Sequence, residues 1–278
     1  MNGLKMKKVN LNQDEIKKRL KKAKLTEFSG KEIRYYNEID STNLQATRLA
    51  EQGAEHGTLV LAEFQTQGKG RRGRNWFSPP GTSVYMSLLL KPQLDPSKVS
   101  MLTLVQALAV SGGIEDTCGI APQIKWPNDI LVNEKKICGI LTELRMEKNG
   151  INSVIIGTGI NLNQTEFPSA IGDIASSLKK ETGRTISREE VIANIMIRFE
   201  YYYGCFLKTE NLSLLREEYN ARLINGGRKV KVLDPKGEFR GEALGINELG
   251  ELLIKREDGK IIPIYAGEVS VRGIYGYV

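Results

Sequence analysis

The 278-residue chain contains one histidine, three cysteines and two tryptophans. A single imidazole, His56, can complete neither a Ser-His-Asp set nor a histidine-rich metal cage. Cys118, Cys138 and Cys205 show no Cys-x-x-Cys spacing, which argues against a disulfide framework or a zinc site; reduced packing residues are the expectation. Stretches of eighteen or more uncharged apolar residues are also missing, so no membrane span is expected. The lysine-dotted N-terminus lacks the apolar core of a secretory signal, and cytoplasm is the default compartment. Internal repeats and low-complexity tracts are absent. What remains is 40% hydrophobic and 26% charged, ordinary for a globular protein with one sizeable core and a small appended domain.

The net charge of +7 is placed unevenly. Residues 1–34 hold eleven Lys or Arg against four acids, and the rest of the chain is neutral. This basic segment reads as a helix capped near Asn12 with Ile16, Leu20 and Leu25 on one face. A short helix of that kind packs its apolar face and solvates its lysines, a reading preferred to a nucleic-acid role.

Residues 63–76 form a glycine and arginine loop. Gly68, Gly70 and Gly73 let the backbone bend and bring its N–H groups to a ligand, while Lys69, Arg71, Arg72 and Arg74 supply four positive charges. Such a loop is suited to wrapping phosphate or carboxylate. Its G-x-G-x-x-G spacing does not make a dinucleotide turn, because it runs into Pro79-Pro80-Gly81 rather than a helix. A kinase reading lacks His-Arg-Asp and Asp-Phe-Gly, and a P-loop would need Gly-Lys-Ser or Gly-Lys-Thr.

The apolar periodicity marks strands near 32–39, 58–66, 83–91, 122–126, 129–133, 136–147 and 152–161, with helices near 43–53, 97–117, 187–206 and 210–223. Strands and helices mix without strict alternation, which predicts an α+β core. After Asn225-Gly226-Gly227, short strands and tight turns at Pro235-Lys236-Gly237, Asn247 to Gly250 and Glu257-Asp258-Gly259 predict a small barrel.

Three further segments accompany the loop: Asp40-Ser41-Thr42-Asn43 at a helix start, Lys125-Trp126-Pro127-Asn128-Asp129 before a hairpin, and Gly157-Thr158-Gly159-Ile160-Asn161 ending a strand. In this order, over roughly residues 12–278, the chain resembles the biotin protein ligases. Lys69 departs from the family's usual arginine, keeping charge and losing the bidentate fork. The resemblance implies a basic helical segment at 1–30, a catalytic domain at 31–224 with a central mixed sheet flanked by helices, and a C-terminal barrel of the Src-homology-3 type at 225–278.

It also implies a reaction: ATP-dependent activation of biotin to biotinyl-5′-adenylate, with Mg²⁺ on the polyphosphate, then transfer to a lysine of a carboxylase biotin carrier domain. By the same resemblance Ser41, Thr42, Asn43 and Gln65 form the ureido wall, where Ser41 and Thr42 also suit helix capping. Gly68, Lys69, Gly70, Arg71 and Arg72 close over biotin and the adenylate, and Arg74 belongs with the nucleotide contacts. Trp76 corresponds to an aromatic stacking near adenine. Lys136 approaches the reacting carboxylate and shares the catalytic role with Arg71, while Asn128 and Asp129 stand near ATP, with Asp129 as the candidate metal ligand. Gly139 and Asn161 line the pocket, Lys125 is a charge behind the contacts, and Arg272 reaches the nucleotide from the small domain.

Three other readings compete. Lipoate ligases and octanoyl transferases would show an arginine-rich strand leading to a triple glycine and a histidine, which are missing here. A repressor would need a winged helix-turn-helix of roughly sixty residues, whereas about thirty precede the first core strand, so no specific DNA binding is expected. A biotin-binding module without catalysis is separated by pyrophosphate release. A homodimer is compatible with the resemblance.

Overall fold

Seven strands carry the apolar runs of the first part of the chain: β1 (Ile33–Tyr36), β2 (Leu59–Ala62), β3 (Val84–Leu90), β4 (Gln123–Lys125), β5 (Asp129–Val132), β6 (Lys135–Glu147) and β7 (Gly150–Ile160). They form one sheet in the order β1-β2-β3-β7-β6-β5-β4. The β1–β2 pair is parallel and the other neighbours are antiparallel, so the sheet is mixed. The computed structural model describes residues 10–23, 32–148, 150–234, 237–266, 270–273 and 276–278. The basic residues at 5, 7, 8, 24 and 31, the apolar Leu25, the 235–236 part of one expected turn, and residues 267–269 lie outside these.

Helices α1 (Gln13–Lys22), α2 (Thr42–Glu51), α3 (Met101–Cys118), α4 (Ser169–Gly172), α5 (Leu178–Thr182), α6 (Arg188–Thr209) and α7 (Arg216–Arg222) surround that sheet. Its centre is buried on both faces, which explains why β2 and β3 read as continuous apolar runs. Val60, Leu89 and Ile155 pack with Ala46, Leu49 and Ala50 of α2. Their strand neighbours Leu59, Leu61, Leu88, Leu90 and Ile156 point the other way, into the main core with α3 and α6.

The segment Pro96–Cys118 is long and apolar enough to cross a membrane, but 78% of its apolar 18-residue window is buried inside the protein. It is a core helix. Gly113 of α3 lies directly on α6: a Cβ there would stand 2.7 Å from the Ile195 backbone N, so only glycine allows this approach. The helix expected over 210–223 is shorter than the pattern suggests, because Glu210 adopts a left-handed φ of 50° and ends α6. Asn211 Oδ1 then accepts from Ser213 N–H at 2.9 Å, and helix resumes only at α7.

Asn12 caps α1 by accepting from the N–H groups of Asp14 and Glu15, and Ile16 and Leu20 are buried. The helix packs on α6. Its start is held by Glu63, which accepts from Leu11 N–H at 3.4 Å and Tyr35 O–H at 3.0 Å and pairs with Arg188 at 2.6 Å.

Strands β8 (Lys229–Asp234), β9 (Gly237–Ile246), β10 (Leu252–Lys255), β11 (Ile261–Ile264) and β12 (Ser270–Gly273) form a second, antiparallel sheet in the order β11-β10-β9-β8-β12. Among the described residues β11 and β12 are its edges. Trp126 ties the two sheets together: its Nε1–H donates to Gly250 O at 3.0 Å, and its backbone N–H donates to Asn225 Oδ1 at 3.0 Å.

Candidate functional site

A cleft of about 190 Å³ opens where β4, β5 and the start of β6 face the second sheet, with the glycine and arginine loop across it. Among the described residues six cationic side chains line it, Arg71, Arg72, Arg74, Lys125, Lys136 and Arg272, against one acid, Asp129. Trp76, Phe77 and Tyr277 add aromatic walls. Asn128 and Asn161 also line the cleft, so the seven residues expected to bind ATP or the adenylate, Arg71, Arg74, Trp76, Asn128, Asp129, Asn161 and Arg272, stand together.

The loop folds back on itself through Gly70 N–H to Arg74 O at 2.7 Å and Trp76 N–H to Gly68 O at 2.8 Å. Arg72 is left-handed at its tip, with φ 59°. Arg71 crosses from the loop to both sheets, donating to Asn128 Oδ1 at 2.9 Å and to Ala266 O at 2.8 Å. Its burial lowers the guanidinium's pKa, opposed by Asp129, and the group remains a cation. Lys69 pairs with Asn75 across the loop and does not line the cleft.

Asp129 is the electrostatic pivot. Burial works against its charge, yet Lys136, Tyr277 and Lys125 together hold its carboxyl below the ordinary value. Lys136 Nζ lies 2.6 Å from Oδ1, and the Tyr277 hydroxyl donates to Oδ2. Lys125, expected behind the contacts, instead lies in the cleft wall at 5% exposure, and burial pushes its pKa down to about 8. Asp129, the candidate metal ligand, has Oδ1 ion-paired with Lys136 and Oδ2 accepting from Tyr277, and no group of three or more His, Cys, Asp or Glu suited to a metal exists among the described residues. These residues do not fit a protein-held ion.

A second cluster sits on the other side of Trp76. Gln65 Oε1 accepts from Thr42 N–H at 2.8 Å and Thr42 Oγ1 at 3.1 Å, and its Nε2 donates to Ser78 Oγ at 3.1 Å. Ser87 Oγ lies 2.7 Å from Thr42 Oγ1 and 2.6 Å from Asn43 Oδ1. Asn43 Nδ2 donates to Glu143 at 2.7 Å. Ser41 is buried here, but its side chain does not cap α2; its backbone N–H donates to Asp40 instead. Gly68 closes against Ser78 and Gln65. The residues expected to hold one ligand are therefore divided between this cluster and the cleft.

A strip of side-chain-free backbone separates the two. Gly139 of β6 pairs directly with Gly159 of β7, and the indole of Trp76 lies on both; a Cβ would come within 2.8 Å and 2.5 Å of it. Gly157 is likewise covered by Asn43, whose Oδ1 would meet a Cβ at 2.1 Å. Trp76 thus occupies the strip, with Lys136 Nζ 5.4 Å from its ring and its Nε1–H buried without a partner among the described residues. Asn128 and Asn161 spend their amides on Ile140 O and Ser176 O, both at 3.0 Å, and act as struts. Sequence reading named Gly157 and Gly159 only as the end of a strand, and missed Ser78, Ser87, Glu143 and Tyr277. Only the glycines left a signal, since residues two apart in a strand share a face.

The sequence pattern of the Biotin/lipoate A/B protein ligase family matches residues 35–161, and that of the Biotin protein ligase C terminal domain matches 226–272. The bifunctional ligase/repressor BirA of Bacillus subtilis is 40% identical over 94% of this chain and 79% of its own length. The biotin–[acetyl-CoA-carboxylase] ligase of Paracoccus denitrificans is 33% identical over 84% of this chain and 98% of its own. Among solved structures, the biotin protein ligase from Aquifex aeolicus in complex with biotin and ATP superimposes with a TM-score of 0.76 at 34% identity, covering 87% of this chain and 99% of that one.

Proposed function

Because this chain belongs to the biotin/lipoate A/B protein ligase family, among its biotin protein ligases, we propose that the cation-lined cleft receives ATP and the reacting carboxylate while the Gln65 cluster receives the ureido ring of biotin. The enzyme activates biotin with ATP to biotinyl-5′-adenylate and transfers the biotinyl group to a carboxylase. In the first step a carboxylate oxygen attacks the α-phosphorus, the bond to the bridging oxygen breaks and pyrophosphate leaves. In the second an unprotonated lysine amine attacks the mixed-anhydride carbonyl and AMP leaves. Neither step needs a nucleophilic side chain, so positioning and charge carry the catalysis.

The observation that carries the reading is the meeting, among the described residues, of six cations and one acid in a cleft with aromatic walls. Two anions repel as they approach, and a preorganised cationic surface lowers that barrier. Lys136, fixed by Asp129, neutralises the reacting oxygens, and Arg71 holds the phosphate side while bridging the two sheets. Arg74 and Arg272 contact the polyphosphate. The glycine strip gives biotin's chain a path from Asn43 to Lys136 once the indole lifts, and the buried Trp76 Nε1–H is a donor suited to a ligand acceptor. Magnesium, when present, rides on the polyphosphate. The acceptor lysine belongs to the biotin carrier domain of a carboxylase.

The test is ATP-dependent transfer of labelled biotin to a purified carrier domain, with lipoate as competitor. Transfer with pyrophosphate release, undiminished by lipoate, is expected. Binding of biotin without pyrophosphate release would reduce the protein to a binding module.

A further inference from the structure

Beyond the residues the reaction already calls on, Tyr277 reaches the cleft from the segment that follows β12. Its hydroxyl donates to Oδ2 of Asp129. Its ring lies beneath Lys125, with Nζ 3.4 Å from the centroid. The phenol therefore stands between the buried lysine of β4 and the half-buried carboxylate of β5, and it lines the cleft beside Arg272.

That placement has a consequence for Lys136. A buried carboxylate oxygen without a donor is costly, so each oxygen of Asp129 draws whatever donor is in reach. With Oδ2 held by the phenol, Oδ1 is left to the Lys136 ammonium, an ion-pair contact at 2.6 Å without hydrogen-bond geometry. The ammonium is then bound at one point and keeps its other N–H groups for the cleft. Without the phenolic hydrogen, Oδ2 would compete for Lys136 or Lys125 and pull an ammonium away from the reacting oxygens.

We propose that Tyr277 is a positioning residue for adenylate formation, which fixes Lys136 through Asp129 and keeps Lys125 off that carboxylate by holding its ammonium on the aromatic face. The proposal rests on the ligase reading above. It concerns the step in which two anions meet, not the transfer step, whose electrophile already exists.

The experiment uses the full chain and Tyr277→Phe, which keeps the ring and its volume and removes one O–H. Pyrophosphate release should fall about tenfold in kcat, with the KM for biotin within about twofold, because a charge-assisted hydrogen bond and the position of a catalytic cation are lost. Transfer from preformed biotinyl-adenylate to a carrier domain should stay within about twofold, where general damage to the cleft would slow both steps alike. In a Lys136→Ala background the same substitution should cost nothing further, since the two residues act through one another. A Phe variant with unchanged kcat, or an equal loss in the Lys136→Ala background, overturns the proposal. Should the Phe variant fold poorly, Tyr277→Trp keeps an aromatic ring with an N–H donor and should restore more of kcat than Tyr277→Leu; equal activity of the two would also overturn it. Absence of pyrophosphate release in the unsubstituted enzyme would remove the underlying ligase reading first.

Discussion

Lys136 and Lys125 rise from strands on either side of β5 and answer to the same carboxylate in different ways. Lys136 is ion-paired with Asp129, both side chains less than a quarter exposed. Lys136→Ala should lower turnover in adenylate formation about a hundredfold, by comparison with the loss of one preorganised donor to a developing charge. It should also lower stability by about 1–3 kcal/mol, because Asp129 loses its ionic partner. Pyrophosphate release well below the melting temperature checks the first, and denaturant unfolding the second. Lys125 carries the pH dependence. Its folded pKa of about 8 means that the ammonium is charged below that pH and loses its proton as pH rises through it. The KM for ATP should therefore rise above pH 8, and Lys125→Met should flatten that rise. An unfolded lysine keeps its proton to about 10.5, so the contribution of this residue to stability grows between pH 8 and 10.5.

At the scale of elements, the loop and the first helix each make a checkable demand. Four like charges on residues 69–74 repel one another, and a bound polyanion removes that penalty. Trypsin cleavage between Arg71 and Arg74 should slow at least several-fold with biotin and ATP present; an equal rate with and without ligand would refute closure over the ligand. Helix α1 commits Ile16 and Leu20 to α6, a helix far away in sequence and not one joined to it by a short turn as in a helix-turn-helix, and leaves its lysines to solvent. DNA binding by this chain should be weak, indifferent to sequence and steeply reduced by salt. Gel shifts with a biotin-operon operator and a scrambled duplex at two salt concentrations measure it, and a tight, biotin-dependent preference for the operator would contradict the expectation.

For the whole molecule, one core runs through both sheets. Leu104, Trp126, Tyr219, Ile246 and Leu252 belong to a single buried cluster, and Trp126 hydrogen-bonds across the junction. Breaking the junction would expose this apolar surface, so the two sheets should unfold together. Far-ultraviolet circular dichroism and tryptophan fluorescence should give coincident transitions, since Trp126 reports the junction and the sheets report the rest. Two separated transitions would show that the small sheet unfolds on its own. Arg71, bound to Asn128 on one side and Ala266 on the other, ties the loop to both sheets.

The make-up of the loop was legible from residues 68–74, glycines that bend the backbone among four cations, and its reading as an anion holder leaned on the segments at 40–43, 125–129 and 157–161 that accompany it. The strands were legible as well, since apolar periodicity reports which side of a local element faces the core. Helix α7 was overdrawn because a polar turn at Glu210 and Asn211 interrupts a helical pattern that continues past it. The glycine strip, the seat of Trp76 on it and the division of the site into two clusters were not legible, because they depend on the register of β6 against β7. Tyr277 meets Asp129 across 148 positions of chain, through the docking of one sheet on another. Periodicity describes neighbours within an element, whereas register and docking follow from how every element packs at once; the sequence determined the charges and strands, and tertiary packing alone decided which of them share a cleft.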